Sequence, residues 1–127
     1  MLEILFKFTI SEHDITKAKI MWNIDIEGFM HVVDIDGINH VFKRHGATNS
    51  QEQESHIVTK FDIELIGEII VSPDELVSGG LSGSRKLPTL MYIKIINNYK
   101  YYYVVEILKN KKQLRIKTLF KNINKSK

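Results

Sequence analysis

Leu2, Ile4, Phe6, Phe8 and Ile10 alternate with polar or smaller residues, and this period of two predicts a strand over residues 2–10. Ser11, Glu12 and Asp14 then offer a helix start, with Ile15, Ala18 and Trp22 recurring at i, i+3 and i+7. Glu27 and Gly28 form a turn into a strand at 29–35. Asp36 stands where an N-cap is wanted, and Ile38, Val41, Phe42 and His45 make one apolar stripe, so a helix is predicted over 37–45, ended by Gly46. The polar run 46–57 reads as an exposed loop. Thr59 and Asp62 begin a helix with Phe61, Leu65, Ile66, Ile69 and Ile70 on one face, stopped by Ser72 and Pro73. Ser78 to Lys86, rich in Gly and Ser, reads as a mobile basic connector.

From Thr89 onward the alternation returns as three strands, near 90–96, 100–108 and 113–120, with turns at Asn97-Asn98 and Asn110. In the last strand a strict period of two puts Leu114, Ile116, Thr118 and Phe120 on one face and Gln113, Arg115 and Lys117 on the other, which makes Thr118 a polar intruder. Helices followed by a meander predict an α+β fold, with an N-terminal strand and helices packed on a C-terminal antiparallel β-meander. At 127 residues with 43% apolar content, one core and one domain are expected over 1–127, with 122–127 a basic tail. No apolar run reaches the ~20 residues of a membrane span and no signal-peptide pattern is present, so a cytoplasmic or delivered protein is expected. The absence of Cys excludes disulfides, thiolate zinc sites and Cys nucleophiles.

Charge changes the picture more than composition does. Residues 1–84 carry 6 Lys/Arg against 14 Asp/Glu, whereas residues 85–127 carry 12 Lys/Arg and a single acid, Glu106. The basic segment is interleaved with Tyr92, Tyr99, Tyr101, Tyr102 and Tyr103, the combination that neutralises phosphates and stacks bases. A solvated, Lys-guarded sheet surface is the other reading. On the 37–45 helix, residues advance by ~100°, so His40, Lys43 and Arg44 project from one side while His45 turns toward the apolar stripe. Fixed cations beside His40 loosen its proton and favour the neutral imidazole of a general base, and the same cations suit a phosphate. His45 stands open between catalysis and packing. A metal set from His40, His45 and His56 fits the i, i+4 rule poorly, so no metal site is expected. His13 and His31 have no partner by sequence and are expected at the surface or half-buried. Glu106 reads either as a cross-strand ion pair, which is preferred, or as a carboxylate that orients a His or accepts a ribose hydroxyl.

Five segments taken together carry a resemblance: 40–46 (HVFKRHG), 61–66 (FDIELI), 69–74 (IIVSPD), 103–106 (YVVE) and 117–121 (KTLFK). In order and spacing they resemble the phage-associated nucleases of the barnase, EndoU, colicin and RelE superfamily, the PBECR-type domains, over about residues 30–121. Residues 1–29 match none of these segments and are read as a family-specific N-terminal element, either a cap or a dimerising element. The resemblance implies helices on an antiparallel sheet and a metal-independent ribonuclease, phage- or toxin-associated, in which the 2′-hydroxyl attacks the adjacent phosphate and leaves a 2′,3′-cyclic phosphate. It implies no cofactor. It places the site on His40, Arg44, His45 and Thr118, with His40 as base or acid, Arg44 as phosphate ligand and Thr118 as donor. Lys43, Arg85, Lys86, Arg115 and Lys117 are the RNA-binding candidates. RNA is the expected substrate, and an inhibitor of the immunity or antitoxin kind is a second candidate partner. The alternative function is a non-catalytic nucleic-acid-binding or virion-associated module on the same fold; a small interaction protein with a solubilising basic surface is the third.

Overall fold

The computed structural model describes residues 4–46 and 56–124. They form β1 (Ile4–Thr9), α1 (Glu12–Trp22), β2 (Met30–Asp34), α2 (Ile35–His45), α3 (Lys60–Ile63), α4 (Ile66–Val71), β3 (Glu75–Ser82), β4 (Leu87–Ile96), β5 (Tyr99–Leu108) and β6 (Gln113–Ile123). The centre of the expected polar loop, 47–55, and the end of the expected tail, 125–127, lie outside the described residues.

All six strands join one sheet in the order β1-β2-β6-β5-β4-β3. β3 to β6 run as an antiparallel meander, and the Asn97-Asn98 turn between β4 and β5 has both residues at positive φ, 51° and 69°, where Asn is well tolerated. The N-terminal strand does not pack on this meander but extends it. β1 pairs antiparallel with β2, and β2 pairs parallel with β6. β2 is buried throughout from His31 to Asp34, as befits a strand flanked on both sides.

One sheet face, carrying Tyr92, Tyr101, Tyr103, Val105, Ile107 and Leu119, forms the core with Ala18 of α1, Val41 of α2 and Ile66, Ile69 and Ile70 of α4. The other face, with Tyr102, Val104, Glu106, Thr118 and Phe120, contributes nothing to that core cluster. This is the face on which a ligand can lie.

Five further expectations need correction. The helix over 59–71 is two short helices broken at Glu64 and Leu65, and Phe61 is 79% exposed, outside the apolar face assigned to it. Asp62 is the reason: it accepts hydrogen bonds from Tyr101 OH (2.6 Å) and Lys121 Nζ (2.9 Å), which pins α3 to the sheet in its own orientation. The segment 78–86 is not a loose connector, because residues up to Ser82 belong to β3 and only 83–86 form the turn. Its glycines serve a bulge: a Cβ on Gly79 would lie 2.4 Å from Thr89 Oγ1, and Gly80 has φ +81°. The α2 N-cap is Asp34, whose side chain accepts the Gly37 N–H at 2.8 Å, with Asp36 in the first turn. His31 is wholly buried and hydrogen-bonded to Asp14 at 3.1 Å rather than at the surface or half-buried.

The fifth correction sets the site. The β5–β6 register runs Val105↔Ile116 and then Val104↔Thr118, so Lys117 is the extra residue of a β-bulge. Before the bulge Leu114 and Ile116 face the core; after it Leu119 and Lys121 do, and Thr118 and Phe120 pass to the open face. A period of two cannot express this slip, which turns every later side chain over.

Candidate functional site

Helix α2 takes up where β2 ends and runs beside the second half of β6. Two contacts hold it there. Gly37 packs so tightly on β6 that a Cβ would meet Ile116 Cγ2 at 2.3 Å. Buried Asp34 caps the helix with one carboxylate oxygen and accepts Arg115 Nε–H at 2.7 Å with the other, tying the helix start to the strand. A cap of this kind is worth ~1 kcal/mol, and the part-buried ion pair adds orientation more than net stability. Consequently the polar side of α2 is presented to the bulge.

Two adjoining cavities result. One, of about 240 Å³, is lined by Asp36, His40, Glu106, Arg115 and Lys117 among others. The second, of about 270 Å³, is lined by His40, Arg44, His45, Lys117, Thr118 and Phe120. His40 and Lys117 belong to both, so the bulge residue and the helix histidine stand at their junction. All four residues assigned to the catalytic site, His40, Arg44, His45 and Thr118, are brought together. Of the RNA-binding candidates, Lys117 and Arg115 line these cavities, Lys43 is exposed on α2, and Arg85 and Lys86 belong to the β3–β4 turn.

His40 is half-buried, and its pKa lies below the ordinary imidazole value of 6.5. Desolvation is the largest cause, followed by repulsion from Lys117, Arg44, His45 and Lys43. The imidazole is therefore neutral at pH 7 and able to take a proton. The native state binds fewer protons than the unfolded chain between the two pKa values, so stability falls as pH drops from about 6.5 through the native value, and is flat below it. In an NMR titration His40 is expected to show a midpoint under 6.5 that rises when Lys117→Gln removes the charge that repels its proton most. An unmoved midpoint would show that Lys117 does not face the ring.

Thr118 explains itself in the site. Its Oγ1 is buried with no hydrogen-bond partner among the described residues, which is uncommon for a hydroxyl that cannot reach water. Thr118 itself lines the second cavity, and a turn about its χ1 is what would bring this hydroxyl to a ligand there. Phe120, beside it, stacks on Tyr102 with ring centroids 4.7 Å apart and planes 11° from parallel. The His45 ring leans on Phe120 at 5.5 Å, so His45 has both a packing contact and a place in the wall.

Glu106 differs from its preferred reading. Arg115 is opposite it across β5 and β6, but Arg115 Nε–H donates its hydrogen bond to Asp34, and Glu106 accepts from Ser82 Oγ at 2.8 Å instead. Among the described residues it makes no ion pair, and this carboxylate lines the same cavity as His40. Being the single acid of a 12-cation segment was the signal for it in the sequence. Tyr102 was one of the tyrosines interleaved with the basic segment, whereas Phe120 gave no such signal, because the bulge that turns it to the open face was not legible. No group of three His, Cys, Asp or Glu side chains among the described residues is placed to hold a metal ion. No described helix is long and apolar enough to cross a membrane.

The fold and the groove thus define an α+β domain with a histidine, a carboxylate and several cations gathered on the open side of a sheet. Residues 9–127 match the family described as phage-Barnase-EndoU-ColicinE5/D-RelE like nuclease3, and the chain belongs to that family. No curated protein and no solved structure matches it.

Proposed function

We infer that this nuclease-family chain is an endoribonuclease that cleaves RNA by internal attack of the 2′-hydroxyl, without a metal ion. The observation that carries the reading is His40, held neutral at the junction of two cavities walled by Arg44, Arg115, Lys117 and Thr118. His40 takes the proton of the 2′-hydroxyl as its oxygen forms a bond to phosphorus. The P–O5′ bond then breaks, and His45, in the wall of the same cavity, returns a proton to the leaving 5′-oxygen. Arg44 and Lys117 hold the non-bridging oxygens, where negative charge grows in the transition state, and Thr118 Oγ1, once its side chain turns into the cavity, donates to one of them. Glu106, oriented by Ser82, accepts a hydrogen bond from a ribose hydroxyl in the adjoining cavity. The products are a 2′,3′-cyclic phosphate and a free 5′-hydroxyl.

Incubation with an RNA and its all-deoxy counterpart, each with and without EDTA, tests this. RNA alone is expected to be cut, equally in both buffers, with cyclic phosphate ends found by mass spectrometry. Cleavage of DNA, or loss of activity on chelation, overturns the mechanism. Binding of uncut RNA would instead identify the non-catalytic module.

A further inference from the structure

Beyond the two cavities of the site lies a third, of about 270 Å³, that the cleavage chemistry does not use. Its floor is apolar, from Leu87 and Pro88 of β4 and Ile107 and Leu108 of β5, and its rim carries Arg85, Lys109, Lys111 and Arg115. Among the described residues no acid lines it. Arg115 also lines the cavity of His40 and Glu106, so the two spaces are neighbours along β6.

The turns that border this pocket make the cations conspicuous. Lys86 in the β3–β4 turn has φ 52°, and Lys112 in the β5–β6 turn has φ 53°, in the left-handed region where Gly or Asn is less strained. The β4–β5 turn, at the opposite end of the same meander, fills its left-handed positions with Asn97 and Asn98. Turn geometry alone would favour the same choice at both ends. Only the pocket end carries lysines at these positions, and the β5–β6 turn adds Lys109 and Lys111, both exposed.

We propose that this pocket is a second nucleotide subsite, which takes the next nucleotide beyond the pair joined by the scissile phosphodiester, its base on the Leu87–Pro88–Leu108 floor and its phosphate on Lys109, Lys111 and Arg85. The proposal rests on the ribonuclease reading and extends it to substrate length: a dinucleotide fills the cleavage site, and a longer strand also fills this pocket. The same chemistry, a base with a phosphate, is offered by a free mononucleotide, so the two sources must be separated.

The test is equilibrium binding of 2′-O-methyl oligoribonucleotides, which cannot be cleaved, two to six nucleotides long, to the full chain and to the double variant Lys109→Gln/Lys111→Gln. Affinity of the parent is expected to rise in one step, by about tenfold, at the length that reaches the pocket. The variant is expected to lose that step while binding the dinucleotide as before, and its log-log salt slope on the longest strand should fall by about 0.7 for each phosphate that the lysines no longer neutralise. The exposed positions leave the core intact, and a melting curve checks it. Equal weakening at every length would show a diffuse field rather than a subsite and overturn the proposal, as would no weakening at all. Competition by adenosine or uridine 5′-monophosphate with no length step would make the pocket a free-nucleotide site and overturn its assignment to RNA. Failure of the ribonuclease reading is recognised separately: the length step then persists while no RNA is cut.

Discussion

His40→Ala is expected to lower the rate of RNA cleavage by about 10² to 10⁴, the usual loss when a general acid or base is removed. Melting temperature should scarcely move. The imidazole lies on the groove side of α2, whereas Ile38 and Val41 carry the helix into the core, so the stability change stays within about 0.5 kcal/mol. Single-turnover rates on a short RNA, with circular dichroism melts of the same preparations, check both halves. Thr118→Val sharpens the comparison. It keeps the shape and removes a buried hydroxyl that has no partner among the described residues, so the protein should be as stable or more so, while cleavage slows because a donor to the transition state is gone. His45→Ala separates its two roles: an acid loses rate at unchanged stability, whereas a ring that only packs on Phe120 costs about 0.5–1.5 kcal/mol of stability and leaves the rate intact. A His40→Ala protein that cuts RNA at the parent rate would sink the mechanism.

How far the sequence revealed this site depends on which physical rule governed each residue. Where hydrophobic periodicity ruled, the reading was close. The strands of the meander and α2 appear within a few residues of their expected bounds, because Leu90 to Leu119 and Ile38 to Val41 each bury one face. His40, Arg44 and His45 could be grouped because they share one helix, and neighbours on a helix are neighbours in space. Non-local geometry was not legible. The bulge at Lys117 depends on how β6 meets β5 and α2 together, and it moved Thr118 and Phe120 to the open face. Thr118 kept its expected place in the site but for a different reason: it is no intruder in the core, being a member of the groove. The glycines of 78–83 suggested mobility because composition cannot distinguish a loop from a bulged edge strand. The charge asymmetry suggested either a nucleic-acid surface or a solvated, Lys-guarded one, and the two halves meet at the pairs Asp34–Arg115 and Asp62–Lys121, so part of that charge also positions helices.

The largest stability effect is expected on the other side of the sheet, at Asp14. This carboxylate is wholly buried, and it accepts hydrogen bonds from Ser11 N–H (2.9 Å), His31 Nε2 (3.1 Å) and Tyr92 OH, joining α1, β2 and β4 through one group. His31 Nδ1 is buried without a partner among the described residues, so a proton on Nε2, directed at the carboxylate, is the arrangement that strands the fewest groups. Burial by itself would raise the Asp14 pKa, but the bond and charge of His31 and the bonds from Tyr92 and Ser11 outweigh it and the value is lowered. Tyr92 shows the counterpart, its phenol held protonated well above the ordinary range by burial and by the Asp14 charge. Asp14→Ala removes the common acceptor and leaves three buried or half-buried donors facing a void. Removing one member of such a buried set costs about 3–5 kcal/mol, a large part of the roughly 5–15 kcal/mol that holds a domain together. The variant should therefore melt about 10–20 °C lower. Because the native pKa is depressed, Asp14 contributes fully above the unfolded value of about 3.9, and its contribution is lost as pH falls through the native value. Urea unfolding of parent and variant at pH 7 and at pH 3 checks this: the gap in midpoint should be wide at the first and narrower at the second. Cleavage per folded molecule should be unchanged well below the melting point, since Asp14, Tyr92 and His31 lie across the sheet from Glu106 and Thr118. A variant as stable as the parent at pH 7 would mean that this network holds nothing together.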